Sequence, residues 1–142
     1  MSPPPRPTPP SQVVFDPTPE IFATDSSGAF VFRMLADGSP AMDTGAYDEV
    51  RFLISLWHPG SGRAIDPDRA YVELQGAFDS REEHWARLAE IEPVVPPNDA
   101  GASFDGWIVL PVFSVRSRYR IVGSGFHPRA RLQVRASAYL VA

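Results

Sequence analysis

Two histidines occupy the same local pattern, in which an aromatic residue precedes the histidine and a proline follows it. The two sites are Trp57-His58-Pro59 and Phe126-His127-Pro128. An imidazole can bind a metal ion, but a zinc site needs at least a third protein ligand, and no particular Asp or Glu is identified as that ligand. We therefore expect two hydrogen-bonded turn histidines, and no metal or other cofactor.

The carboxylates and serines also form no clear metal-binding or catalytic motif. Asp66 and Asp68 flank Pro67 and could hold calcium through oxygen ligands, but the three residues also suit a plain turn, which we favour. The pair Glu82-Glu83 lies in a charged segment that is more simply solvated. No serine is surrounded by Gly-x-Ser-x-Gly, and no glycine-rich phosphate loop opens a helix. The sequence therefore predicts a protein that is not an enzyme.

Length and composition favour one folded domain. The chain has 142 residues, of which 44% are hydrophobic, and it contains neither cysteine nor lysine. Disulfides and thiolate chemistry are therefore excluded. No apolar run approaches the roughly 18 residues of a membrane span, and the first residues lack the layout of a signal peptide. We expect a cytoplasmic protein without a membrane span, and export by a non-classical route stays open.

Residues 1–12 form a proline-rich arm, with six prolines in the first ten positions. Proline disfavours helices and sheet interiors, so the arm should be extended. It is either a disordered tail or a segment that a neighbouring subunit holds in place. The remaining residues, 13–142, are predicted to form a single domain.

The alternation of apolar and polar residues in this domain has a period of two, which is typical of strands. Short apolar segments near the N-terminus, Val13–Phe15 and Glu20–Ala23, are broken by prolines and suit sheet edges. The longer predicted strands are 29–35, 47–57, 69–78, 105–113, 115–122 and 129–141. Together with the further segment 80–91, these runs give about eight strands. They predict an all-β, antiparallel β-sandwich with a jelly-roll-like arrangement.

The further segment, residues 80–91, has two interpretations. Ser80 and Glu83 form a capping box, and Trp85, Leu88 and Ile91 could line one face of a helix. The same residues also read as a loop followed by a strand, and the strands on both sides favour that second interpretation.

A family resemblance also favours the strand. The segment Tyr71-Val-Glu-Leu-Gln-Gly-Ala-Phe-Asp79, followed by Trp85-Ala-Arg-Leu-Ala-Glu-Ile91, resembles the central hairpin of discoidin-like, galactose-binding-type β-sandwich domains. The later segment Arg118-Tyr-Arg-Ile-Val122 is similar to a strand of the same domains. The family's terminal cysteine pair and a clear acidic calcium loop are absent. The resemblance implies a jelly-roll sandwich that binds sugars, lipids or proteins, or that is only structural.

Charge is segregated along the chain. Residues 111–142 contain six arginines and no acid, although the whole chain has a net charge of -4. The two strand-like runs in this region are interpreted as a final hairpin whose outward face is basic. The predicted partner-binding residues on this face are Arg116, Arg118, Arg120, Arg131 and Arg135. They could pair with acids on neighbouring strands of the same sheet, or with an acidic partner such as a second copy of the chain. Nucleic acid is not favoured, because no binding motif occurs.

A second candidate surface lies at one end of the predicted sandwich. If the core strands alternate in direction, the loops 58–68, 93–105 and 124–129 share that end, where binding residues commonly lie. The candidate ligand-binding residues there are Trp57, His58, Arg63, Phe104, Trp107, Phe126, His127 and Arg129. The tryptophans could stack on a sugar ring or close the end of the core.

Two functions follow from these surfaces. The first is a structural or assembly module that contacts protein, chiefly copies of itself, through the arm and the charged sheet face. The alternative is a carbohydrate-binding module that uses the aromatic-rich loops.

Overall fold

A computed structural model describes residues 12–13, 20–34, 42–45, 47–59, 65–77, 84–95, 102–112 and 116–141. These residues form two antiparallel sheets. Between them lies one apolar core, so the predicted all-β sandwich is confirmed.

Eleven strand segments occur in the described residues. In chain order they are β1 (Gln12–Val13), β2 (Glu20–Ala23), β3 (Phe30–Arg33), β4 (Met42–Asp43), β5 (Glu49–Trp57), β6 (Tyr71–Ala77), β7 (Trp85–Ile91), β8 (Pro93–Val94), β9 (Ser103–Pro111), β10 (Arg116–Ser124) and β11 (Arg131–Val141). Segments β1, β4 and β8 have two residues each, and the other eight have four or more. The expectation of about eight strands is therefore correct.

The two sheets have a nested topology. Sheet A has the order β1-β11-β5-β9-β8, with β2 also paired to β11, and sheet B has the order β3-β10-β6-β7, with β4 also paired to β10. Early strands pair with late ones: β2 with β11, β3 with β10, β5 with β9, and β6 with β7. This nesting across two sheets is that of a jelly roll. The N-terminal segments β1 and β2 lie at an edge, as predicted.

Strand β7 confirms the strand interpretation of residues 85–91. It pairs with β6 through a register shift, so that Leu74 lies opposite Ala89 and Gln75 lies opposite Arg87. The extra residue, Leu88, packs against the core, and Ile91 is buried in it. Pairing with β6 and burial of these side chains outweigh the local helix propensity. The capping-box residues 80–83 lie outside the described residues.

The predicted final hairpin is wrong. Strands β10 and β11 are consecutive but do not pair, because β10 lies in sheet B between β3 and β6, and β11 lies in sheet A beside β5. The connection 125–130 crosses from one sheet to the other. Each strand has one apolar face, with Ile121 and Leu132 both fully buried, and two such faces can meet across a core as well as side by side.

Sheet B contributes a tyrosine to the core. The Tyr119 ring meets the Phe52 ring edge-on at 4.8 Å and is 1% exposed. Burial raises the pKa of the Tyr119 phenol above its ordinary value of 10.0, and a hydrogen bond with Ser117 partly offsets the rise. A folded-state pKa above the unfolded value means that stability is complete below the unfolded pKa and falls as the pH rises toward the folded pKa.

We therefore expect the free energy of unfolding to fall above about pH 10, and to fall less in Tyr119→Phe. The chain has no lysine, so tyrosines are the only side chains that titrate between about pH 9 and 12. Denaturant titrations at about pH 8 and about pH 11 measure both proteins. An equal alkaline loss in the wild type and the variant would contradict the expectation.

Candidate functional site

Three strands end together, as the sequence predicted. Strand β10 ends at Ser124 opposite the first residue of β6, and β7 ends at Ile91 opposite the second. Strand β5 ends at Trp57, opposite Gln133 near the start of β11. The connections that follow these strands therefore share one end of the sandwich, called the loop end below. The turn 24–29 between β2 and β3 also lies there, and the sequence analysis did not include it.

Asp25 organises this turn. Its Oδ1 accepts hydrogen bonds from the Ser27 backbone N–H (2.8 Å), the Ser27 hydroxyl (2.7 Å) and the Ala29 N–H (3.0 Å). These bonds, with the Ser27 hydroxyl first, lower the pKa of the Asp25 carboxyl. The Asp25 carbonyl also accepts from the Arg129 N–H at 2.9 Å, which joins the turn to the connection between β10 and β11.

Buried polar and backbone contacts fix the same connection. The Thr24 hydroxyl donates to the His127 carbonyl and accepts from the Ala130 N–H, each at 2.8 Å. Gly125 has a φ of 78°, and a Cβ there would lie 2.0 Å from the Arg69 carbonyl oxygen. The backbone of the connection before β11 therefore packs directly on the backbone of the connection before β6. This contact holds the two connections together at the loop end.

The loop end contains a small depression of about 160 Å³. Its lining includes Asp66, Arg69 and His127, and Arg69 lies 3.9 Å from Asp66. The Asp66 carboxylate accepts from the Asp68 N–H at 2.9 Å, so these two aspartates lie in a turn, as expected. A drug-sized ligand usually occupies about 300 Å³ or more, so this depression is small for a binding site.

The predicted loop-end residues do not form one surface. Phe104 and Phe126 are 0% and 6% exposed, and their rings pack 5.9 Å apart inside the core, which corrects their assignment to a ligand surface. His127 and Arg129 are exposed, and Arg129 has a left-handed φ of 55°. Trp57 and His58 are half-buried where β5 ends. Arg63 lies outside the described residues.

Trp107 lies away from the loop end. Strand β9 starts at the loop end with Ser103, and Trp107 is four residues further along, opposite Leu53 of β5. Its side chain is 61% exposed on the outer face of sheet A. The assignment of Trp107 to the loop end is therefore corrected: it lies in the middle of β9.

The five arginines also divide between surfaces. Arg118 and Arg120 belong to β10 in sheet B, whereas Arg131 and Arg135 point outward from β11 in sheet A. Packed sheets are about 10 Å apart, and these side chains point away from the shared core. A single basic face is therefore wrong. Arg116 also belongs to β10 and has Asp43 of β4 as its register partner.

Among the described strand residues, the register partners of the other four arginines include no acid. Their register partners are Ala77 for Arg118, Gln75 and Arg33 for Arg120, Ala23 for Arg131, and Ser55 for Arg135. Arg120 donates to the Gln75 amide oxygen at 2.7 Å and lies 4.2 Å from the centre of the Trp85 ring. Its guanidinium is thus held by an amide and an aromatic ring within sheet B.

An exposed apolar patch on the outer face of sheet A was missed by the sequence analysis. It consists of Leu53, Trp107 and Val109, which are 41%, 61% and 44% exposed. Leu53 lies opposite Trp107, and Val109 lies opposite Arg51 in the next outward-facing row. Alternation in β5 and β9 could have indicated this patch. The continuous apolar run of residues 107–110 concealed which of them point outward.

A polar row adjoins the apolar patch. Ser55 lies opposite both Arg135 of β11 and Asp105 of β9. The two carboxylate oxygens of Asp105 accept from the Ser55 hydroxyl (2.7 Å) and the Ser103 hydroxyl (2.9 Å). The Arg135 side chain is exposed and makes no hydrogen bond or ion pair with any residue that the structure describes. A shallow depression of about 330 Å³ lies beside Asp105 and Trp107.

The described parts of the chain contain no group of three potential metal ligands and no helix that could span a membrane. No family model matches the chain, and no curated protein matches it.

The backbone contact at the loop end gives a stability prediction. Gly125→Ala places a methyl group against the Arg69 carbonyl in a left-handed conformation, so we expect a loss of roughly 1–3 kcal/mol in the free energy of unfolding. Ser124→Ala, at the exposed neighbouring position, is the matched control and should change the value by less than about 0.5 kcal/mol. Chemical denaturation measures both, and equal effects would show that the contact is unimportant.

Proposed function

We propose that this chain is a non-catalytic structural module that assembles with protein, chiefly with copies of itself, through the outer face of sheet A. The apolar patch of Leu53, Trp107 and Val109 carries this proposal. Grouped apolar side chains on a surface commonly mark interaction sites, and tryptophan and arginine are enriched among the residues that dominate binding energy.

The backbone beneath the patch supports the same function. Strand β5 is paired along its length with β11 on one side and β9 on the other. Side chains on such strands keep fixed spacings, so little ordering is needed when a partner binds. Of the predicted arginines, Arg135 can contribute to this contact, because Arg118 and Arg120 lie on sheet B and Arg131 precedes the part of β11 that pairs with β5. The contribution of the proline-rich arm to this contact stays a prediction, since its residues 1–11 lie outside the described residues.

A carbohydrate-binding module is the second candidate, and it agrees with the resemblance to discoidin-like domains. The supporting observation is the exposed Trp107 ring beside Asp105 and Ser55. An indole face can stack on a sugar ring, while a carboxylate and a hydroxyl bind sugar hydroxyls. The candidate sugar site is therefore this face of sheet A.

Assembly is tested by light scattering across a range of protein concentrations. We expect the wild-type chain to form an oligomer that dissociates in Leu53→Ser/Trp107→Ser, because the apolar area that drives association is removed. Val31→Ser is the matched control, since Val31 is 53% exposed on the outer face of sheet B. A wild-type chain that stays monomeric at every concentration contradicts assembly with copies of itself.

The carbohydrate alternative is tested on a glycan array. A sugar that binds at this face should lose at least about tenfold in affinity in Trp107→Ala, because one stacking surface is worth roughly 1.4 kcal/mol or more. Trp57→Ala, at the loop end of the same sheet, is the comparison variant. An array without hits, or hits that survive Trp107→Ala, removes this candidate.

A further inference from the structure

We infer that the protein bound by the outer face of sheet A is a second copy of the chain, related to the first by a two-fold axis that runs parallel to β5. This inference rests on the proposed function and extends it by assigning the partner's orientation and contacts. The face has β11 and β9 on opposite sides of β5. A two-fold axis above β5 therefore lays β11 of one copy over β9 of the other and preserves the rows of the sheet.

Charge complementarity supports this arrangement. Arg135 and Asp105 lie in the same row, on either side of Ser55. The rotation consequently brings Arg135 of the partner subunit over Asp105, and the same contact occurs a second time by symmetry. Oppositely charged groups that meet twice fix both the register and the orientation of two surfaces.

The depression beside Asp105 is suited to an arginine side chain. Its lining residues include Asp105, Trp107 and Ser55. A guanidinium can pair with the carboxylate and stack on the indole. Each Asp105 oxygen already accepts one hydroxyl group, but a carboxylate has about four acceptor positions, so further donors can bind.

The same rotation determines which residues face each other in the adjoining rows. Ser137 lies opposite Leu53, which in turn lies opposite Trp107, so the rotation sets Trp107 over the partner's Ser137 and Leu53 against its own copy. Ser137 is only 3% exposed and is thus already covered within its own chain, so Trp107 lies over this position and not against the Ser137 side chain itself. In the next row Val109 lies over Tyr139 of the partner subunit.

One contact of this arrangement is unfavourable by itself. Arg51 lies between Tyr139 and Val109 on β5 and approaches its own copy near the axis. Its guanidinium pairs with Glu49 at 3.0 Å within the same chain, which offsets the like charges.

The area of the face is that of a small contact. Its three long strands, β11, β5 and β9, lie about 4.8 Å apart and rise about 3.3 Å per residue over nine residues, which gives a projected area of roughly 430 Å², and the short segments β1, β2 and β8 extend it at the edges. A standard interface buries about 800 Å² per partner.

Charge reversal on the full chain tests the inference by sedimentation at several concentrations. Arg135→Asp and Asp105→Arg should each weaken self-association by at least about tenfold, because each creates two like-charge contacts. An equal mixture of the two variants should associate again, since every contact then joins opposite charges. The chain that carries both substitutions should also associate. Arg131→Asp, on the same strand but beyond the contact with β9, is the matched control and should associate like the wild type.

The outcomes separate the inference from the proposed function. If the wild type associates and Leu53→Ser/Trp107→Ser abolishes association, but the mixed charge variants do not recover it, the two-fold arrangement is wrong and the proposed function stands. If the wild type is monomeric, both are wrong. Denaturation of every variant checks folding, and recovery in the mixture cannot arise from misfolded chains.

Discussion

Burial of one face of every long strand in a single core is the constraint on which the other features depend. Strands β5 and β10 are central in their sheets, and their inward side chains, such as Phe52, Ile54 and Ile121, are almost completely buried. Because side chains alternate along a strand, fixing these residues inward fixes their neighbours outward. The arrangement of both outer faces, including the row of Arg135, Ser55 and Asp105, therefore follows from the packing of the core.

Packing of the core has different consequences at the loop end and on the outer face of sheet A. At the loop end the chain must cross between sheets, and backbone contacts such as Gly125 against Arg69 make that crossing close. Core aromatic residues, Phe104 and Phe126, fill the space beneath it. The outer face of sheet A does not have to accommodate a crossing of the chain between the sheets. Trp107 is 61% exposed there and adds little to the core, and the proposed contact with another molecule is built on it.

Strand positions were predictable because their signals are local. The period of two placed β3, β5, β6, β9, β10 and β11 within a few residues, and prolines indicated the edge position of β2. Strand β7 needed more than its own residues, since Trp85, Leu88 and Ile91 fit a helix face as well. The candidate site was less predictable. Trp107 was assigned to the loop end of the sandwich and the arginines to one face, because both assignments depended on which strands are neighbours.

The sequence by itself determined that the chain is an all-β sandwich, and which side chains of most strands point inward. Those properties depend on alternation along one segment and on the free energy of burying apolar side chains. Only the tertiary structure decided that β10 and β11 lie in different sheets, and that Arg135, Asp105 and Trp107 share a surface. Such neighbours are far apart along the chain, and several pairings bury the same apolar faces. The choice among those pairings is made by the packing of the whole core.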